Sequence, residues 1–485
     1  MTVVLTSRTD INLDTVHRVA WRDENVRLSD TALRRIAACR EGFLRLIDSS
    51  PDAVVYGVTT AMGELASQRL GNSARDLHAR LKPFAAATSF GDPLPNRIVR
   101  AIVLARLTNF LEGHSATSPR IAEAVAAMLD RPSLPTVPGS GQGGAGEILA
   151  LYPLFAELSL GFDLDVKERG SLINGSPCAA AMVADSAISG RRRLACAEQV
   201  FALSIEAFKA PLEHFDEALE ALWGDEHETT ALRNLRRLLS ANGEGRRTYQ
   251  APVSYRVVPR VLGHAHRAVA SAERAATVSL QSVSDNPVYL PPDQTHPLGR
   301  CISTGGFHNA MAAPALDDLA AIWADLCLLC HRHGARLLDA RASHLPDLLM
   351  VNRSPSDSDG HGSVGYIPMA MTGYLEQARA AAQRTFIPGT ETAGTGQDDV
   401  SATVFIAWAK SDQAGRCLDS ALAMLAVLAS QALHVTGRDA PQPLSRFLDD
   451  VRAIVPPVDA DRVLGPELER LSSRFRMHVF AAEQA

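Results

Sequence analysis

Tyr56, Asn174 and Arg256 are the residues from which this sequence could assemble a reaction on a small molecule. A phenol can give or take a proton, an amide can orient a polar group, and a guanidinium can hold a carboxylate through two parallel N–H bonds. Tyr56 stands in Val-Val-Tyr-Gly-Val-Thr-Thr-Ala-Met-Gly, Asn174 in Leu-Ile-Asn-Gly-Ser and Arg256 in Ala-Pro-Val-Ser-Tyr-Arg. Each also has a plain structural reading: packed aromatic, turn or cap residue, salt-bridge partner. The stretch Gly139-Ser140-Gly141-Gln142-Gly143-Gly144-Ala145-Gly146 contains the pattern GxGxxG. That pattern cradles a pyrophosphate only between a strand and a helix. The prolines of the preceding Arg-Pro-Ser-Leu-Pro-Thr-Val-Pro forbid a central strand, and a flexible loop is the plain alternative. Cys327-Leu-Leu-Cys330-His331 has the spacing of a c-type haem attachment and, with His333, could be drawn as a metal clasp. It lies in a long helical run and reads more simply as two buried cysteines on a core helix, so no metal site is expected.

The elements available to position these groups are helical. Residues 97–111 and 119–130 repeat apolar positions at helical spacing, the second with Ser118 as N-cap and Pro119 in the first turn. Residues 309–339 and 400–435 are Ala/Leu-rich and apolar around much of their circumference, as buried bundle helices are. Strand signals are short, near Val54–Val58 and Val288–Leu290, and do not alternate with helices, which excludes a doubly wound sheet. Loops fall at 132–146, 284–306 and 353–365. The expected fold is mainly α, with two closely packed regions, 1–200 and 201–485, that are not independent. The net charge of −6 gives no argument for a nucleic-acid or anionic-membrane partner. The opening MTVVLTSRTD lacks a basic start before an apolar core, and no stretch of membrane-spanning length is free of charged or polar breaks. The seven cysteines are scattered and odd in number, which fits a reduced, cytoplasmic protein.

The order of the motifs says more than any one of them. Tyr56-Gly57 is followed by the glycine-rich loop, Lys167-Glu168, Leu172-Ile173-Asn174-Gly175, Ser254-Tyr255-Arg256, Ser284-Asp285-Asn286-Pro287, Phe307-His308 and Gln397-Asp398-Asp399. This succession, with Leu28-Ser29-Asp30 ahead of it, resembles the aromatic amino acid lyases, which include the histidine, phenylalanine and tyrosine ammonia-lyases. The resemblance runs from about Asn12 past Ser401. It implies a homotetramer of long helices of the fumarase/aspartase-like type, a small-molecule carboxylate substrate, a tyrosine that moves a proton and an arginine that holds the carboxylate.

It also implies an Ala-Ser-Gly tripeptide that cyclises to the electrophile methylidene-imidazolone (MIO). Here Gly144-Ala145-Gly146 stands in its place, with Glu147 where the family carries aspartate. Alanine has no hydroxyl to lose, so no MIO and no other cofactor is expected; Gly139-Ser140-Gly141, five residues upstream, is the alternative tripeptide. Other departures surround the site. Val253 replaces the family's second tyrosine, Ser279 and Gln281 replace a glutamate and an asparagine, and Asp398 replaces a glutamate whose following histidine is missing. Ala85-Ala86 aligns with the Ser-His pair that contacts the side chain of histidine, so histidine is not the expected substrate. The expected pocket comprises Ala85, Ala86, Val253, Phe307, Gln397 and Asp398.

Two functions remain. The first is an MIO-independent enzyme, with Tyr56 as acid/base, that eliminates from, adds to or isomerises a substrate carrying its own activation. The second is a catalytically silent homologue that binds a small molecule or a partner subunit.

Overall fold

The computed structural model of the chain describes residues 2–50, 52–71, 73–75, 86–239, 245–248, 250–351, 362–387 and 396–477. Its helices include α1 (Asp30–Ser49), α2 (Asn96–Leu111), α3 (Pro119–Met128), α4 (Ile148–Gly161), α5 (Glu168–Ile173), α6 (Pro177–Phe208), α7 (Val253–Arg256), α8 (Val258–Gln281), α9 (Ala312–Leu338), α10 (Ile367–Ala381), α11 (Val404–Val435), α12 (Gln442–Ile454) and α13 (Gly465–Met477), with two more, Ala218–Trp223 and Glu226–Leu238, between α6 and α7 and shorter helical turns elsewhere. Strands β1 (Thr2–Leu5) and β2 (Asn25–Leu28) pair in parallel; β3 (Val288–Leu290) and β4 (Arg300–Ile302) pair antiparallel. The chain divides into two compact units, Met1–Ile188 with Ala272–Leu316 and Thr385–Ala409, and Ser189–Ser271 with Asp317–Arg384 and Lys410–Ala485. Their boundaries fall inside α6, α8, α9 and α11.

In the first unit, α2 is buried on nearly every side, and two arginines go into the core with it. Arg100 spends its N–H groups on the carbonyls of Val19, Arg131 and Leu129, at 2.8, 3.2 and 3.2 Å. Two of these carbonyls, Leu129 and Arg131, lie in the turn that follows α3, so the guanidinium holds the exit of that helix. Ser118 precedes α3 in extended conformation with Pro119 in the first turn, but its hydroxyl makes no cap bond. It donates instead to the Glu168 carboxylate, which also accepts the Ser118 N–H.

The strand expected near Val54–Val58 is a turn. The N–H groups of Val58, Thr59 and Thr60 all return to the Val55 carbonyl. The Thr59 hydroxyl accepts from Val55 N at 2.7 Å and donates to Ala53 O at 2.7 Å. The β-branched run therefore closes on itself through a threonine side chain, a local bond that competes with strand pairing.

In the second unit, α9 carries Cys327 and Cys330, both buried. Burial pushes both thiols up, which suits core packing and opposes the thiolate that metal or haem chemistry needs. Arg193 pairs with Asp419 through two bonds of 3.0 and 3.1 Å. Helix α11 is long and apolar enough to cross a membrane, yet 83% of its apolar window is buried within the protein, as in a core helix.

Candidate active site

The motifs at Glu147, 167–175, 284–287 and Phe307 meet in the first unit as one buried polar knot. Lys167 and Asp285, both buried, form an ion pair at 2.8 Å. Glu168, also buried, accepts the Asp165 N–H at 2.9 Å in addition to Ser118. These bonds fix the start of α5, and Asn174 follows directly from its end. Asn174 Nδ2 donates to Asn286 O at 3.0 Å, and the Asn174 carbonyl accepts from Arg106 on α2. Gly175 must be glycine: φ is +105°, and a Cβ would lie 2.8 Å from Arg106 Nη2 and 2.8 Å from Ser284 Oγ. Ser284 Oγ accepts the Ser176 N–H at 3.0 Å, and Asn109 Oδ1 accepts the Ser284 N–H at 2.9 Å. Asn286 Oδ1 accepts the Thr304 N–H at 2.9 Å.

The loop Gly144-Ala145-Gly146 borders this knot. The Gly143 carbonyl accepts from Ser401 Oγ at 2.7 Å and the Gly144 carbonyl from Ala402 N at 3.0 Å. Gly146 has φ of +71°, and a Cβ there would sit 3.4 Å from the Phe307 ring. Phe307, half-buried, therefore packs against the backbone at the end of the tripeptide. Glu147 ends the loop. Its buried carboxylate accepts the N–H groups of Cys178 and Ala179 at 2.6 and 2.7 Å, closing two orphan donors at the start of α6. Burial nevertheless dominates and pushes its pKa up to about 7, against the pull of those N–H groups and of nearby Arg106.

Tyr56 is half-buried, in a turn where Gly57 has φ of +68° and packs on Met62. Its oxygen accepts the Gly63 N–H at 2.9 Å. Its pKa lies above the ordinary phenol value, mainly through burial; the Gly63 bond opposes the rise and the negative charge of Asp398 adds to it. The structure thus packs Gly146 against Phe307 and puts Tyr56 within the electrostatic influence of Asp398. The Tyr56 turn also reaches α5, where Arg169 Nη2 points at Met62 Sδ at 3.7 Å. Gln397 is exposed and Ala86 half-buried; Ala85 lies outside the described residues.

Arg256 and Val253 belong to the second unit. Val253 is 60% exposed. Arg256 closes the short α7, which is anchored from α9. His333 Nε2 is 3.0 Å from Ser254 O and Nδ1 is 2.9 Å from Ser204 Oγ. A carbonyl can only accept, so Nε2 carries the proton and Nδ1 takes the serine's hydrogen. Tyr255 stacks between His333, with ring centroids 3.8 Å apart, and Phe208 at 4.3 Å. Burial lowers the His333 pKa to about 4, so the ring is neutral near pH 7. The neighbouring Arg256 guanidinium has a buried Nε without an acceptor, and the arginine has no side-chain hydrogen bond or ion pair among the described residues. It is a cation held in place with its charge unspent.

Three contributors escape sequence reasoning: Arg106, Glu147 as the cap of α6, and His333 as the anchor of α7. An arginine within an apolar helix and a carboxylate between a glycine loop and a helix were the available signals for the first two. His333 drew notice only as part of a metal-like spacing.

The chain matches the family model of aromatic amino acid lyases over residues 11–161 and 154–454. It is 26% identical to a histidine ammonia-lyase of Deinococcus radiodurans over 494 aligned residues, covering 95% of this chain and 91% of that protein. Among solved structures it resembles the ergothioneine-degrading ergothionase of Treponema denticola (TM-score 0.85, 20% identity, 98% of this chain and 99% of that one). It also resembles a phenylalanine aminomutase of Pantoea agglomerans (TM-score 0.86, 20% identity, 98% of each chain).

Proposed function

The chain belongs to the aromatic amino acid lyase family, and from that premise we propose that it is a lyase-like enzyme working without MIO on an activated, carboxylate-bearing substrate. Its relatives are ammonia-lyases and its structural neighbours include aminomutases, so elimination and isomerisation are the family's reactions. The carrying observation is the tripeptide position. Glu147 and the bonds from Ser401 and Ala402 support its register, and the middle residue is alanine, with no hydroxyl to lose. These residues do not fit the group. Upstream, Ser140 is exposed rather than enclosed, which favours the register at 144–146.

The rest of the machinery keeps its chemistry. Arg256 would hold the carboxylate with a guanidinium that makes no hydrogen bond or ion pair among the described residues. Asn174, fixed through its amide and its carbonyl, would orient the substrate's polar group. Tyr56 would move the proton. In an elimination it would take the β-proton as the phenolate, and the raised pKa makes that phenolate scarce at neutral pH but a stronger base once formed. Ala86 and Phe307 would give an apolar wall, with Gln397 and Asp398 at its polar edge.

Without an electrophile the substrate must bring its own leaving group. A quaternary ammonium needs no capture before it departs, and ergothioneine, which the T. denticola neighbour degrades, is a betaine of that kind. The test incubates purified protein with free histidine, phenylalanine and tyrosine and with their trimethylammonium betaines, following the conjugated acrylate by ultraviolet absorbance. Turnover confined to activated substrates and lost in Tyr56→Phe is expected. Saturable binding of the betaines without turnover would favour the silent homologue, a reading suggested by the Gly63 bond that occupies the Tyr56 oxygen. We also propose a homotetramer: Tyr366 and Met369 beside and on α10 are 78% and 71% exposed, and apolar side chains left open in this way suit subunit contact.

A further inference from the structure

The second unit contains a cavity of about 470 Å³ at the C-terminal end of α6, lined by Lys209, Arg246, Arg247, Thr248, Ser343 and Arg438 among others. It takes no part in the chemistry proposed above.

Part of this positive charge has a local explanation. The last carbonyls of a helix have no intrahelical partner, and two of the arginines satisfy them. Arg438 donates to Glu206 O at 3.2 Å and to Ala207 O at 2.6 Å; Arg247 Nε donates to Phe208 O at 2.9 Å. Arg247 also donates to Ser343 O. These bonds hold both guanidiniums as walls of the cavity.

They do not explain Lys209 or Arg246. Lys209 lies just past the helix with φ of +55°. Its ammonium passes over Gly245, where a Cβ would lie 3.1 Å from Nζ. Among the described residues this ammonium has no hydrogen bond or ion pair. The Arg246 side chain is only 6% exposed. It gives Nη1 to Ala210 O at 3.0 Å and Nη2 to the Glu206 carboxylate, while its Nε–H is buried without an acceptor. The carboxylate that pairs with this cluster among the described residues is Glu206. Four cationic side chains thus line one cavity, and among the described residues Glu206 pairs with two of them, Arg246 and Arg438. Like charges gathered in a partly buried site repel one another unless an anion joins them.

We propose that this cavity binds the phosphate group of a small metabolite, with Lys209 Nζ and Arg246 Nε as its direct donors. Arg247 and Arg438 supply the surrounding positive field, and the Ser343 hydroxyl, which accepts from Leu345 N at 3.1 Å, keeps its hydrogen free to donate. A tetrahedral oxyanion accepts from donors in several directions and carries more than one negative charge near neutral pH, which suits this surplus better than a single carboxylate. The volume lies in the range that holds a ligand of metabolite size.

The test is isothermal titration calorimetry of the full-length protein with inorganic phosphate and with glycerol 3-phosphate, in potassium chloride of matched ionic strength. Saturable binding is expected, weakened about 10–100-fold in Lys209→Gln, the loss of one charge-assisted bond. Lys209→Gln is the chosen variant because Arg246 also ties Ala210 and Glu206 together; an unchanged melting temperature without ligand would show that it folds as the wild type does. Tighter binding of glycerol 3-phosphate than of phosphate would assign the site to a phosphomonoester, and equal binding to free phosphate. Absence of saturable heat with both probes, or equal affinity in wild type and Lys209→Gln, would overturn the proposal.

Discussion

Replacing Glu147 with glutamine should change how the protein's stability depends on pH, and the sign follows from burial. The carboxyl is buried and its pKa rises from the ordinary 4.5 to about 7. A carboxyl with a higher pKa in the folded than in the unfolded protein binds its proton more tightly when folded. Stability is then independent of this group below about pH 4.5 and is lost as pH rises from there toward about 7. The shift corresponds to about 3 kcal/mol. An amide does not titrate, so Glu147→Gln lacks this loss. The variant gives up one acceptor for the Cys178 or Ala179 N–H, a cost of about 1–3 kcal/mol that does not vary with pH. Urea unfolding of wild type and variant, measured from pH 4.5 to 8, separates the two effects. The stability difference should move in favour of the variant by about 3 kcal/mol across that range. A constant difference, or one moving against the variant as pH rises, would refute the reasoning. The second outcome would mean that the two N–H groups and Arg106 outweigh burial and hold the carboxylate charged.

Other outcomes follow from the same structure. Intact mass should equal that of the unmodified polypeptide; loss of two waters within residues 139–146 would place an electrophile there. Free histidine, phenylalanine and tyrosine should not be deaminated at a useful rate, because general acid–base help supplies only about 10²–10⁴-fold and cannot replace a covalent catalyst; steady acrylate formation from them, abolished in Tyr56→Phe, would contradict this. His333→Phe keeps a ring against Tyr255 but strands the Ser254 carbonyl, and should destabilise the protein by about 1–3 kcal/mol at pH 7. The variant should also lose one pH effect. A histidine lowered from 6.5 to about 4 makes the wild type lose stability as pH falls through that window, and the same urea series would detect its persistence. Light scattering coupled to size exclusion should give a tetramer; a monodisperse monomer at micromolar concentration would refute the assembly.

The long helices were legible in the sequence because a buried helix writes its period into apolar residues. Residues 97–111 became Asn96–Leu111 and 309–339 became Ala312–Leu338. The family was legible because short motifs kept their order. What the sequence concealed are bonds between distant positions. Arg100 caps residues far along the chain, and Lys167 meets Asp285 across 118 positions; neither arginine nor lysine advertises its partner. The turn at Tyr56 was misread as a strand because its valines and threonines favour strands, and only the Thr59 hydroxyl reverses that preference. Strands β1 and β2 were missed because each has only four residues, too short for alternation to stand out. The site residues Tyr56, Asn174 and Arg256 were legible as chemistry, whereas the state of each depends on neighbours no local spacing reveals: Asp398 beside Tyr56, Asn286 beneath Asn174, and His333 behind α7.

The polar knot bears on how a member of this family could lose its electrophile and keep the rest. Every bond that fixes the tripeptide region runs through backbone carbonyls of Gly143 and Gly144, through the Glu147 carboxylate, or through Gly146 packed on Phe307. None needs a side chain at position 145 larger than a methyl. On the proposed reading, exchange of a serine for Ala145 would remove a reactive group without removing a support. Tyr56 and Asn174 likewise take their positions from Gly63, Asn286 and Arg106, not from the tripeptide. On the proposed reading the scaffold and the electrophile would be physically separable, and acid–base groups and a carboxylate clamp would remain available for a substrate that supplies its own leaving group.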